Sequence, residues 1–141
     1  MQTSESGKAI IRKHEGLRLT AYQDIGGVWT IGYGHTLGVR AGQVINGDEA
    51  ESMLEQDLVA VDKCLSNSVR VSVTQNQWDA LADFVFNLGC HALGGSTLLK
   101  LLNDGNDEAA SAEFPKWDHD NGKVVEGLLE RRIEEQTLFN T

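Results

Sequence analysis

Leu54, Leu58, Val61 and Leu65 recur at i, i+4, i+7 and i+11, one apolar stripe along a helix. Asn46 and Glu49 form a capping-box pair ahead of it, so the stripe predicts a helix over about 48–66. Thr74 and Gln77 repeat the signal before Trp78, Leu81, Ala82, Val85 and Leu88, and Gly89 closes that helix. A first helix is expected over about 5–14, capped by Thr3 or Ser4 and ended by Gly16. Further helices are expected at about 96–103, between an Asn106 cap and Phe114, and over about 124–139. In the last, Leu128, Leu129, Ile133 and Leu138 are the core candidates. His119 to Lys123, with its Asn-Gly pair, reads as a loop. The period changes to two at Leu17–Tyr22, where Leu17, Leu19 and Ala21 alternate with Arg18, Thr20 and Tyr22. Gly26-Gly27 marks a turn, Val28–Tyr33 a second strand, and Val39-Arg40 a third short one. The pattern describes an α+β chain: a small β-sheet lobe over about 15–46, a linking helix, and a mainly helical lobe over about 70–141 that includes the first helix.

The chain has 141 residues, 40% hydrophobic and 23% charged, which suits one globular domain with a sizeable core. Its charge of −9 is uneven. Residues 1–45 carry five basic and three acidic side chains, and residues 46–141 carry seven and eighteen. An acidic surface of that size is a poor partner for nucleic acid or an anionic membrane. The first residues contain no apolar leader, and no segment is apolar enough to span a bilayer, so the chain is expected to fold in the cytosol. Cys64 and Cys90 form neither a disulfide framework nor a metal motif, and they read as buried free thiols rather than a bridge. His14, His35, His91 and His119 show no ligand spacing, so neither metal nor cofactor is expected.

The candidate chemistry is concentrated in EGLRLTAYQDIGGVWT, residues 15–30. Glu15 stands at the C-terminal end of the first helix. The negative end of the helix dipole disfavours an ionised carboxyl there, which suits a proton donor. Asp24 follows the first strand, and Thr30 lies on the opposite arm of the hairpin. Together they can flank a groove and hold one water. Each has an ordinary reading too: a solvated helix-end Glu, a turn-forming Asp and a strand Thr. Tyr22 and Trp29 can offer a ring face to a sugar or pack in the core. Gly32 and Gly34 permit close backbone approach to a ligand or to the first helix. His35 reads as a structural histidine paired with a carboxylate.

Glu15, eight residues, Asp24, five residues and Thr30 resemble the signature of phage-type lysozymes, the endolysins of glycoside hydrolase family 24. KHEGLRLTAYQDIGGVWTIGYGHT is similar to the family's active-site segment, GDEAESMLEQDL to its inter-lobe helix, WDALADFVFNLG to the helix behind the cleft, and GLLERRIEEQTLF to its C-terminal helix. The resemblance implies a lysozyme-like fold and hydrolysis of the β-1,4 bond between N-acetylmuramic acid and N-acetylglucosamine. It implies Glu15 as general acid, Asp24 as base or nucleophile and Thr30 positioning the water. It also implies substrate contacts from Phe86 and Asn87, and an Arg132 that touches the acid. Peptidoglycan is the expected partner of a monomeric enzyme, held in the host cytoplasm until holin lesions admit it to the periplasm or cell wall. A peptidoglycan- or protein-binding module on the same fold, cutting weakly, is the alternative.

Overall fold

The computed structural model describes residues 1–120 and 122–141. Helix α1 (Glu5–Glu15) leads into an antiparallel hairpin of β1 (Arg18–Gln23) and β2 (Trp29–Gly32), and α2 (Gly47–Ser68) follows. Then come α3 (Gln75–Leu88), α4 (Cys90–Gly94), α5 (Thr97–Asn103), α6 (Asp107–Glu113) and a 3-10 turn at Phe114–Lys116. A hairpin of β3 (His119–Asp120) and β4 (Lys123–Val124) precedes α7 (Glu126–Phe139). The expected caps are made. Ser4 accepts from the Gly7 N–H, and both Asn46/Glu49 and Thr74/Gln77 close full capping boxes, each cap worth about 1 kcal/mol.

Helix α2 joins two apolar clusters. Ala50, near its start, packs with Ile31 and Ile45 beneath the β1–β2 hairpin. Leu54, Leu58, Val61 and Leu65 enter the larger core with α3, α5, Phe114 and Phe139. Each fully buried Leu there contributes about 1.5–3 kcal/mol. Helix α3 lies at the centre of this core and is buried nearly all round, including Asp79 and Asp83.

The alternating segment forms strand β1, with Leu17 and Leu19 45% and 42% exposed where the pairing register shifts between Arg18 and Tyr22. Four expectations are corrected. No third strand forms at Val39-Arg40. Val44 instead makes a single bridge to Thr20, and Gln43 and Ile45 hydrogen-bond to β1. The expected loop at His119–Lys123 contains β3 and β4, with Asn121 outside the described residues. Helix α7 starts at Glu126, and its buried residues are Arg131, Arg132, Glu135 and Phe139, while Ile133 is 45% exposed. Of the four apolar candidates Leu138 does pack against the core, but the inner side of α7 meets Asp83 of α3 through Arg131 and therefore carries charge. Finally, Cys64 and Cys90 are bridged, tying α2 to the first residue of α4. Their Cα atoms stand 6.0 Å apart, a proximity created by the helix packing and invisible in a 26-residue separation.

Candidate active site

Helix α1 is fixed at its start, which determines where its end points. The Thr3 N–H and hydroxyl donate to Asp62 (3.0 and 2.7 Å), and Trp78 Nε1 donates to the same oxygen at 2.9 Å. The Ser4 N–H and hydroxyl donate to Asp79. Gly7 lies flush against Asp79, since a Cβ there would stand 2.7 Å from the Asp79 carboxyl carbon. At the other end, Gly16 stops the helix directly after Glu15.

Glu15 is partly buried, its side chain 18% exposed. Arg131 Nη1 donates to its Oε2 at 2.7 Å. The Gly34 backbone covers the other oxygen: a Cβ at Gly34 would stand 2.5 Å from Glu15 Oε1, and the φ of +76° at this position also favours glycine. The close approach expected of the glycines is therefore real for Gly34 and is directed at the first helix. Arg131 in turn forks onto Asp83, with Nε and Nη2 donating at 2.9 and 2.8 Å. Burial opposes charge on Arg131, but Asp83 and Glu15 raise its pKa and keep it protonated.

Asp24 and Thr30 meet through one residue. The Val28 N–H donates to Asp24 Oδ1 at 2.9 Å, and the Val28 carbonyl accepts the Thr30 hydroxyl proton at 2.9 Å. Asp24 thus makes the turn bond expected of an Asp in that position, and its Oδ2 has no hydrogen-bond partner among the described residues. Thr30 is buried, and its hydroxyl bonds to Val28 rather than to Asp24, leaving its lone pairs as acceptors. Strand β2 ends at Gly32, and a tight turn through Tyr33 and Gly34, closed by the Ile31–His35 bridge, lays backbone over the first acid.

Tyr22 pairs with Thr30 across the hairpin, and the Arg18 guanidinium stacks on one ring face 4.4 Å from the centroid. Phe86 helps line a hollow of about 270 Å³ with Gly34, Thr36, Val61, Val85 and Cys90. Asn87 carries a buried Oδ1 that has no partner among the described residues. His35 places Nδ1 2.9 Å from Asp57 and Nε2 3.0 Å from the Leu37 carbonyl. It thereby ties the loop after β2 to α2 in the structural role expected of it.

Arg132 does not reach Glu15. It pairs with Glu135 and lies over the Phe84 ring, while its neighbour Arg131 holds the acid. Adjacent helical positions point about 100° apart, so a one-residue choice decides which arginine faces the site. Sequence reasoning also missed Asp83 and Glu135. Their signal was present: an acid at the sixth residue of the run WDALADF, and a second in the C-terminal helix. Among the described residues no cluster of three or more His, Cys, Asp or Glu side chains is arranged to hold a metal ion.

Residues 12–135 match the family described as phage lysozyme. The chain is 46% identical to the endolysin of Acyrthosiphon pisum secondary endosymbiont phage 1, over 100% of this chain and 99% of that protein. It is 45% identical to the endolysin of Bacillus phage PZA, over 100% of this chain but 56% of that longer protein. Its structure is similar to the muramidase domain of SpmX from Asticaccaulis excentricus, with a TM-score of 0.93 and 38% identity over 99% of this chain and 98% of that one.

Proposed function

The chain belongs to the phage lysozyme family, with its lysozyme-like fold and glycoside hydrolase class, and we propose that it cleaves peptidoglycan between N-acetylmuramic acid and N-acetylglucosamine with Glu15 as general acid. The observation that carries this reading is the setting of Glu15. It ends a firmly anchored helix, is partly open to solvent, and is held by Arg131 on one oxygen and covered by Gly34 on the other. A positioned carboxyl of this kind can give its proton to a glycosidic oxygen as the bond to the sugar breaks.

Asp24 acts from the opposite face of the sugar. Thr30 has committed its proton to Val28, so a water beside it must donate a hydrogen to Thr30. That orients the water, and Asp24 Oδ2 accepts the second proton as the oxygen attacks the anomeric carbon. This is base catalysis with inversion. Asn87 hydrogen-bonds the sugar, and Phe86 and Tyr22 contact sugar rings. In the cell the enzyme waits in the host cytoplasm and reaches the wall through holin lesions. Among the described residues no helix is long and apolar enough to cross a membrane.

The test compares the wild type with Glu15→Gln on purified peptidoglycan. New reducing ends should fall by roughly two orders of magnitude or more, while pelleting with the polymer persists. Equal release of reducing ends by both proteins would leave only the weakly cutting binding module.

A further inference from the structure

The bonds that fix helix α1 at Thr3 and Ser4 lie about 16 Å of helix away from Glu15. The far end needs a hold of its own, because helix ends fray and Gly16 breaks this one directly after the acid. Arg12 ties the last turn to α2 through Glu51, at 2.8 and 2.9 Å. Toward α7, among the described residues, the side-chain hydrogen bonds of that turn go to Arg131 and Glu134, which stand one turn apart on the same face. Arg131 takes Glu15 itself. Glu134 takes the two residues before it: Oε2 accepts from His14 Nε2 at 2.8 Å and from Lys13 Nζ at 2.9 Å, and Oε1 accepts from Lys13 at 3.1 Å. The His14 contact is the sheltered one, its side chain 16% exposed against 66% for Lys13. Burial works against charge on Glu134, but hydrogen bonds from Lys13 and His14, together with their charges, hold its carboxyl below the usual range and keep it an acceptor.

The Glu15–Arg131 bond is a poor anchor for the reacting state. A general acid reacts from its protonated form, and a guanidinium holds a neutral carboxyl less strongly than a carboxylate. The grip on the Glu15 side chain is therefore weakest when the proton is ready to leave. The bond between His14 and Glu134 does not involve that proton, and it acts one peptide unit away. We propose that His14 and Glu134 are positioning residues of the active site: their hydrogen bond clamps the last turn of α1 to α7 and keeps Glu15 in place between Arg131 and Gly34 while it is neutral. Neither side chain touches the sugar; both act through the backbone that carries Glu15.

This inference rests on Glu15 being the general acid, and its test separates the two. Amide hydrogen exchange reads the clamp without any activity. The Gly16 N–H, bonded to the Arg12 carbonyl at 2.9 Å, reports on the end of α1, and the Lys8 N–H, bonded to the Ser4 carbonyl at 2.9 Å, reports on its start. Both are measured in Glu15→Gln, whose neutral amide stands in for the protonated acid, with and without Glu134→Ala. The added change should speed Gly16 exchange about tenfold or more and leave Lys8 within about twofold. With Glu15 intact, Glu134→Ala and His14→Ala should each lower kcat about tenfold with KM within about twofold, and the double variant should be worse than either by less than about threefold. Glu134→Gln keeps an acceptor for His14 Nε2 and should retain kcat to within about threefold. Lys13→Ala removes only an exposed pair and should stay within about twofold of the wild type. Unchanged Gly16 exchange, losses that multiply in the double variant, a Glu134→Gln as impaired as Glu134→Ala, or a Lys13→Ala as impaired as either would overturn the proposal. Failure of the Glu15 reading shows separately, as a Glu15→Gln that still releases reducing ends.

Discussion

Gly34→Ala perturbs the acid without touching its chemistry. The added methyl would stand 2.5 Å from Glu15 Oε1 and 3.2 Å from its carboxyl carbon. Ordinary contact begins at 3.4 Å, so the carboxyl must retreat by about 0.9 Å. It cannot do so freely, because Oε2 is held by Arg131 at 2.7 Å. A misplacement of about 1 Å costs on the order of a hundredfold in rate, or roughly 2.7 kcal/mol of barrier. The backbone is penalised as well. Forcing a residue with a Cβ to a φ of +76° costs about 1–2 kcal/mol of stability, a fall of about 3–8 °C in Tm for a chain of this size. Gly38→Ala is the control. Its φ is +71°, but nothing lies within 4 Å of the added atom, so it carries the same strain without crowding Glu15. The assay is release of reducing ends from purified peptidoglycan, with thermal unfolding measured on each protein. Gly34→Ala should lose about a hundredfold in kcat and Gly38→Ala less than about threefold, at similar Tm. Equal activity in the two variants would refute the claim that Gly34 exists to admit the Glu15 carboxyl.

Two further outcomes follow from the buried network and the bridge. Cys90→Ser, or reduction of the wild type, should cost about 3.5 kcal/mol in guanidinium unfolding, from the 26-residue separation the bridge closes; a loss under about 1 kcal/mol, or titratable thiols in the native protein, would contradict it. Stability should fall on both sides of mildly acidic pH. Glu135 is raised above its unfolded value of 4.5, so the folded state holds its proton longer and stability declines as pH rises above 4.5 toward the folded value. Asp83 is lowered below 3.8, so its contribution is present above that value and declines as pH falls below it. Glu135→Gln should flatten the decline on the alkaline side; an unchanged slope in urea unfolding across pH 5 to about 8 would show that Glu135 does not titrate there.

What could be read from the chain, and what could not, divides by the range of the interaction. Ser4, Asn46 and Thr74 cap their helices through bonds to residues three positions away, so spacing alone reveals them. The α2 stripe was equally plain, since Leu54, Leu58, Val61 and Leu65 all face one core. The Asp24–Val28–Thr30 bonds also lie within a short loop, which is why the hairpin was legible. Long-range partners were not. Arg131 meets Glu15 across 116 residues of chain, and only the rotation of α7 distinguishes it from Arg132. An apolar pattern cannot foresee a helix whose inner residues are Arg131, Arg132 and Glu135, because it counts charge as surface. The bridge between Cys64 and Cys90 was hidden for the same reason. The packing of α4 against α2 makes it, and α4 itself is too short to show a period.

The central claim is that Glu15 donates a proton to the bond that breaks while Asp24 and Thr30 hold water on the far side of the sugar. A crystal structure of Glu15→Gln with a peptidoglycan tetrasaccharide tests it directly. The account predicts the substituted amide within about 2.6–3.2 Å of the scissile oxygen, with an ordered water between Thr30 Oγ1, Asp24 Oδ2 and the opposite face of the anomeric carbon. An oligosaccharide bound with its glycosidic oxygens turned away from residue 15, or with Asp24 and Thr30 on the same side of the ring as the acid, would contradict it.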